Sequence, residues 1–357
     1  MKQLRDFKEE IHKCSKCGLC QGECPVYEIT GNDCSVSRGQ FIMLNGVIKG
    51  NLKLTKKINR YLDLCLKCGK CSEFCPSGVN VSDVIAAAKY EYNKKHFTEK
   101  IKAYFKRYVI FGLIPGTVKY FRKLAVSKTF EKKVLYFGGC ASKLRGDKSV
   151  VRLLNDAAIE VINPVFHCCG IPRFAMGDLP GFRKSLNSFI SICKKYEIKE
   201  IVTACSSCEK TLKSYIRWAD SEEDREFLSE LVIKNIFEYL HEKNICPKLK
   251  TKKTVTYHKP CSLDNLKDIE WVLKNTKNLE YIEMKDFDKC CGLNGLENLK
   301  EYKIMSKLYS EKRENIINSG AKIVLSSCLG CDTALKVISG GRYQVEDLTE
   351  FLFKNME

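Results

Sequence analysis

Cysteine is the residue type in this chain best placed to do chemistry, and its spacing says which chemistry. Eighteen of the 21 cysteines in 357 residues fall into four groups. Cys14, Cys17, Cys20 and Cys24, followed by Pro25, spell C-x2-C-x2-C-x3-C-P, and Cys65, Cys68, Cys71 and Cys75, followed by Pro76, spell it again. Three thiolates at two-residue intervals can wrap one corner of an iron–sulfur cubane, while the fourth ligates the other cluster. The expected sets are therefore Cys14, Cys17, Cys20 and Cys75 around one [4Fe–4S] cluster, and Cys24, Cys65, Cys68 and Cys71 around a second. The proline fixes its own φ and keeps the preceding cysteine extended, which suits a ligand turned away from its own triplet. Zinc also uses C-x2-C pairs, but it has no use for a third and fourth cysteine at these offsets, twice over.

A second arrangement occupies the C-terminal two thirds, also in two copies. Cys140, then Cys168-Cys169-Gly170, then Cys205-x-x-Cys208 make the first; Cys261, then Cys290-Cys291-Gly292, then Cys328-x-x-Cys331 make the second. Corresponding cysteines are 121, 122 and 123 residues apart, which indicates an internal duplication. Five cysteines per copy is one more than a cubane needs. Either one is idle, or the cluster is non-cubane with one thiolate bridging two irons, and the adjacency of two cysteines favours the bridge. Gly170 and Gly292 suit the crowding there, since glycine accepts φ > 0 or lets a cluster sulfide approach the main chain.

The elements that must position these ligands follow from the pattern between them. In the first 93 residues the two cysteine groups start 51 residues apart, and the insert carries helix-like segments such as Arg38 to Ile48. This predicts an all-α, helical two-cluster ferredoxin domain over 1–93. Each later copy alternates short β-branched runs with longer amphipathic ones. The runs Val134 to Phe137, Ile201 to Ala204, Thr254 to His258, Leu279 to Met284 and Lys322 to Ser327 read as strands, while Val150 to Ala158 and Tyr302 to Ile317 read as helices. That alternation predicts a multidomain protein with two duplicated α/β cysteine-rich domains, 134–248 and 249–357, whose ligands follow the carboxyl ends of parallel strands. Each copy reads as three strands.

Composition narrows the rest. The net charge of +18 counts the cysteines as neutral; four clusters with their thiolates would bring it to roughly +8, because a metal site's own charge belongs in the sum. Much of the remainder sits in Lys94 to Lys133, a linker with 12 Lys and Arg against two Glu, interleaved with aromatic and aliphatic residues. It reads as a helical connector or as a basic amphipathic surface for anionic lipid or an acidic redox partner. No nucleic-acid motif accompanies it. A charged N-terminus and the lack of an apolar run of 18 residues point to a cytoplasmic protein, with peripheral attachment to the inner face of the membrane as the alternative. Cys193 reads as core, Cys246 as loop and Cys34 as a small buried residue outside the ligand sets. No dinucleotide fingerprint, P-loop or nucleophile elbow is present, so no catalytic residue is assigned outside the clusters.

The paired Cys…Cys-Cys-Gly…C-x2-C blocks resemble the cysteine-rich domains of the heterodisulfide reductase catalytic subunit. They also resemble those of the iron–sulfur subunits of glycolate oxidase, lactate-utilisation and anaerobic glycerol-3-phosphate dehydrogenase systems. Ser37-Arg38-Gly39 and the stretch from Tyr61 to Gly78 are nearest the glycolate oxidase type. The resemblance covers the chain outside Lys94 to Lys133. It implies that Cys140, Cys168, Cys169, Cys205 and Cys208 hold one non-cubane [4Fe–4S] cluster, and that Cys261, Cys290, Cys291, Cys328 and Cys331 hold another. Two departures stand out: the gaps from the first cysteine to the pair are shorter than in the reductases, and the common Tyr-His-Asp-Pro-Cys-His stretch reads Tyr257-His258-Lys259-Pro260-Cys261-Ser262. The leading expectation is an iron–sulfur electron-transfer subunit that serves a separate flavoprotein dehydrogenase acting on a 2-hydroxy acid such as glycolate or lactate. The alternatives are disulfide reduction at the Cys-Cys-Gly clusters, as in a heterodisulfide reductase-like catalytic subunit, and an iron–sulfur scaffold that signals redox state.

Overall fold

The computed structural model describes residues 2–96, 132–140, 148–164, 166, 168–293 and 301–357. They divide into two compact units. One is built on the N-terminal residues, with Gly170–Phe182 and Asp288–Glu314 added to it; the other contains two β-sheets.

The first unit is helical, with no strand among the described residues of 2–96. Its helices include α1 (Leu19–Gly22), α2 (Ser37–Ile48), α3 (Lys56–Leu64), α4 (Lys70–Glu73) and α5 (Val81–Lys95). Helix α5 buries Val81, Val84, Ile85, Ala88 and Tyr92, the i, i+3, i+4 spacing of an amphipathic helix facing a core. Its first turn is capped by Asn80, whose side chain accepts from the Asp83 N–H, and α3 is capped in the same way by Thr55. Helix α2 packs onto the turn at Asp33–Ser35 as closely as glycine permits. A Cβ at Gly39 would lie 2.0 Å from the Asp33 carbonyl oxygen.

The second unit holds two four-stranded parallel sheets. Strands β1 (Lys132–Tyr136), β2 (Ile159–Ile162), β3 (Glu200–Thr203) and β4 (Val232–Asn235) run in the order β2-β1-β3-β4. Strands β5 (Lys248–Tyr257), β6 (Lys277–Tyr281), β7 (Ile323–Ser326) and β8 (Gln344–Asp347) repeat that order as β6-β5-β7-β8. Register agrees as well: Tyr136 pairs with Val202 across β1 and β3, and Tyr257 pairs with Leu325 across β5 and β7. The direction of winding reverses between β1 and β3, and again between β5 and β7. In open parallel sheets a ligand crevice lies beyond the carboxyl ends of the strands at such a point. Cys140 and Cys205 follow β1 and β3, and Cys261 and Cys328 follow β5 and β7, so topology alone brings the cysteines to the crevice.

Each copy has one strand more than its sequence suggests. Val-Ile-Lys-Asn in β4 and Gln-Val-Glu-Asp in β8 are too short and too polar to register as β runs. They are edge strands held by pairing, as in Ile201 with Ile233 and Val324 with Val345. Their last residues also cap the next helices: Asn235 accepts from the Phe237 N–H, and Asp347 accepts from the N–H groups of Thr349 and Glu350. Tyr136, Val202, Phe237, Tyr257, Leu325 and Phe351 belong to one buried cluster, so both sheets share a core. The basic segment Lys94 to Lys133 lies outside the described residues except at its two ends. No helix among the described residues is long and apolar enough to cross a membrane.

Candidate iron–sulfur centres

Two pockets lie in the first unit. One, of about 400 Å³, is lined by Cys14, Cys17, Cys20 and Cys75 together with Cys71. The other, of about 430 Å³, is lined by Cys24, Cys65, Cys68 and Cys71. The loops that deliver these thiols are alike in backbone conformation. Lys16 and Gly18 have φ of 62° and 92°, and Lys67 and Gly69 have φ of 53° and 85°, so each loop turns left-handed twice within three residues. This curls main-chain N–H groups toward sulfur: the Lys67 N–H lies 3.4 Å from the Cys65 sulfur. Leu19 N–H and Ser15 donate to Cys17 and hold its thiol below the usual range. Cys24, directly before Pro25, is extended (φ −92°, ψ 111°) and caps the short helix Pro25–Thr30.

Burial does the opposite at the second pocket. It pushes the Cys24 thiol up to about 11 and the Cys71 thiol up to about 12, the latter against a hydrogen bond from Ser37. Thiols so disposed ionise when a cation arrives to offset the charge. Four soft thiolates lining one pocket fit an iron–sulfur cluster in donor chemistry. Among the described residues no disulfide joins any cysteine.

In the second unit the five cysteines of the first copy converge. Cys140 is hydrogen-bonded to Cys168, which with burial raises its thiol far above the usual range. Cys208 is hydrogen-bonded to Cys169 and to Cys205, and Tyr215 anchors the pair by donating to the Cys169 carbonyl at 2.8 Å. The C-x2-C pairs share one local design. Cys205 and Cys328 are the N-cap residues of α8 (Ser206–Ser214) and α12 (Leu329–Ser339), labels that count α6 (Lys148–Asp156), α7 (Leu179–Tyr196), α9 (Ile236–Glu242), α10 (Lys267–Asn275) and α11 (Tyr302–Asn318) in chain order. Cys208 and Cys331 stand three residues on, so both sulfurs of a pair face the amino end of a helix, where negative charge is favoured.

The two C-x2-C loops also touch. Cys205 is hydrogen-bonded to Cys328 as well as to Cys208, and these contacts hold its thiol well below the usual range while raising its two partners. Ser206 N–H donates to the Ser327 carbonyl at 2.9 Å. The Ser206 and Ser327 hydroxyls are 2.5 Å apart, and Tyr257 reaches Ser327 at 2.8 Å. Of the second copy's set, Cys261, Cys328 and Cys331 lie in this unit, whereas Cys290 and Cys291 belong to the first. Gly170 and Gly292 adopt φ of 83° and 82°, and a Cβ at Gly292 would stand 2.6 Å from the Tyr309 ring.

Several residues of these sites carry no sequence signal of their own role. Ser37 and Arg38, which line the first pocket, were marked only by their place in Ser37-Arg38-Gly39, and Gln40, which lines the second, was marked by nothing. Ser262, at the place of the second histidine in the Tyr-His-Asp-Pro-Cys-His stretch, is 3.1 Å from the Ser207 hydroxyl, which is itself 3.0 Å from the Cys328 sulfur. His258 is fully buried and extends the pairing of β5 with β7 through its N–H to Leu325. Cys34 lines neither pocket, Cys193 is buried in α7, and Cys246 is exposed.

Comparison with known proteins agrees with this layout. Residues 10–79 match the 4Fe-4S dicluster domain, and residues 134–213 and 255–336 each match the cysteine-rich domain. The glycolate oxidase iron–sulfur subunit of Escherichia coli is 24% identical, over 97% of this chain and 94% of its own. A subunit of the dihydromethanophenazine:CoB–CoM heterodisulfide reductase of Methanosarcina mazei is 25% identical, over 80% of this chain and 78% of its own. A hypothetical protein from Helicobacter pylori shares the fold, with a TM-score of 0.55 at 11% identity over 98% of this chain and 74% of that one. The chain thus belongs to the iron–sulfur oxidoreductase components that join a 4Fe-4S dicluster domain to two cysteine-rich domains, with glycolate oxidase and heterodisulfide reductase subunits among its relatives.

Proposed function

We propose that this protein is the electron-transfer subunit of an oxidoreductase whose flavoprotein partner oxidises a 2-hydroxy acid of the glycolate or lactate type. The observation that carries this reading is the grouping of thiols: Cys14, Cys17, Cys20 and Cys75 line one pocket, and Cys24, Cys65, Cys68 and Cys71 another. These would be the ligand sets of two [4Fe–4S] cubanes. Cys140, Cys168, Cys169, Cys205 and Cys208 would hold a third, non-cubane cluster, and Cys261, Cys290, Cys291, Cys328 and Cys331 a fourth. Clusters held there supply one-electron steps. The chain's own contribution is to bury the ligands, direct N–H and hydroxyl groups at sulfur, and exclude water from the C-x2-C loops, the levers that set a cluster's potential. The basic segment Lys94 to Lys133 would offer an acidic redox partner or an anionic membrane surface a place to dock.

Iron and acid-labile sulfide on anaerobically purified protein test this, together with EPR and co-purification. About sixteen iron per chain and a flavin-containing partner are expected, counting four irons for each of four clusters. About eight iron, with cubane signals alone, would leave a simpler relay. A second reading, disulfide cleavage at the Cys-Cys-Gly centres, is favoured by the presence of all ten cysteines of both copies. Steady turnover of a thiol-derived heterodisulfide by the isolated protein would replace the relay with that reading.

A further inference from the structure

The two cubane pockets differ in what is tied to them. Three elements that carry or flank the ligands of the second pocket are ion-paired to a single stretch of chain, all within the first unit. Lys70, between Cys68 and Cys71, meets Asp288 at 2.9 Å. Glu28, four residues past Cys24, meets Lys289 at 3.0 Å, and Lys289 also meets Glu311 at 2.9 Å. Arg60, on α3 a little over one turn before Cys65, makes a two-pronged contact with Glu301 at 2.6 and 2.7 Å. No residue of 14–20 is ion-paired to that stretch among the described residues. Asp288 and Lys289 are the two residues directly before Cys290-Cys291. In the first copy the corresponding places before Cys168 hold Phe166 and His167, so the Asp-Lys sequence is not repeated there.

These side chains are partly exposed, Lys70 by 24% and Asp288 by 40%, and such pairs contribute only about 0–1 kcal/mol each to stability. Three of them converging on one ligand set from one direction fix position more than they add stability. We infer that the second cubane position, not the first, exchanges electrons with the Cys290-Cys291 pair, and that Asp288, Lys289 and Glu301 are positioning residues for that exchange. The inference rests on the relay reading above. It adds an order: the second repeat's centre is the first Cys-Cys-Gly centre reached. One electron leaves one centre and arrives at the other, and no bond forms or breaks.

The test is rapid-freeze EPR after mixing the oxidised holoprotein with methyl viologen radical. Cys169→Ser and Cys291→Ser identify the signals of the two repeats, and iron is counted on every sample. The second-repeat signal is expected to appear before the first-repeat signal. Asp288→Lys should delay it severalfold and reduce its spin-coupling broadening by the cubane, with iron content unchanged. The charge-swapped double variant Lys70→Asp/Asp288→Lys should restore both, which a merely misfolded protein would not do. Full iron with the first-repeat signal appearing first, or Asp288→Lys without effect on order and broadening, overturns this inference alone. Absence of Cys-Cys-Gly iron from wild-type protein leaves only the simpler two-cubane relay and overturns the four-cluster reading, and this inference with it.

Discussion

The loops of the 4Fe-4S dicluster domain and the C-x2-C loops gather cysteines by different physics. In the first unit each triplet is delivered by a seven-residue loop, bent by two left-handed residues, and its cysteines remain partly exposed, Cys17 openly so. In the second unit Cys169, Cys205, Cys208, Cys328 and Cys331 are between 1% and 6% exposed, and they meet only because parallel strands end together. A locally encoded site depends on its own turn geometry. A site assembled from strand ends depends on the whole sheet and its core.

The largest effect that would test this contrast is expected from Phe237→Ala. Phe237 is fully buried in the core that both sheets share, and such a truncation costs about 3–5 kcal/mol. Thermal unfolding should shift down, and iron should be lost from the Cys-Cys-Gly centres while cubane EPR persists; simultaneous loss of the cubanes would break the contrast. Gly39→Ala is the mirror experiment. Its Cβ would meet the Asp33 carbonyl at 2.0 Å, and the strain should cost about 1–3 kcal/mol. Cubane iron should fall while the Cys-Cys-Gly signals stay, as read by EPR on the same sample. Ser327→Ala comes next. It removes hydrogen bonds to Ser206 and Tyr257 and should cost about 1–2 kcal/mol by chemical denaturation, without loss of iron. Smallest of all is Cys34→Ala, which should leave iron per chain and all EPR signals unchanged; a lost cubane signal would give Cys34 a ligand role.

The same contrast explains how much was legible in advance. The spacing of Cys14 to Cys24 and Cys65 to Cys75 carries chemistry by itself, because chain geometry over ten residues leaves few alternatives. The β1, β3, β5 and β7 strands were legible too, as β-branched runs ending just before a cysteine. Strands β4 and β8 were not, since Val232–Asn235 and Gln344–Asp347 owe their conformation to a neighbouring strand and to the helix each one caps. Nor could any local pattern show that Ser206 and Ser327 meet. They are 121 residues apart, and only the folding of one copy against the other creates the contact. The ion pairs from Asp288 and Lys289 were hidden for the same reason: charged side chains are common, and nothing in sequence says which distant loop will take them up.

Cys205 and Cys328 occupy the same place in the two copies, and each touches the other. A residue that meets its own counterpart is the kind of contact found at the centre of an isologous dimer interface, here enclosed within a single chain. Anything done to one copy at this point is therefore done to the other's immediate surroundings. Substitutions in the two repeats will not behave as independent events: the pair Cys205→Ser and Cys328→Ser should depart from additivity, as neighbours sharing one hydrogen-bond network do.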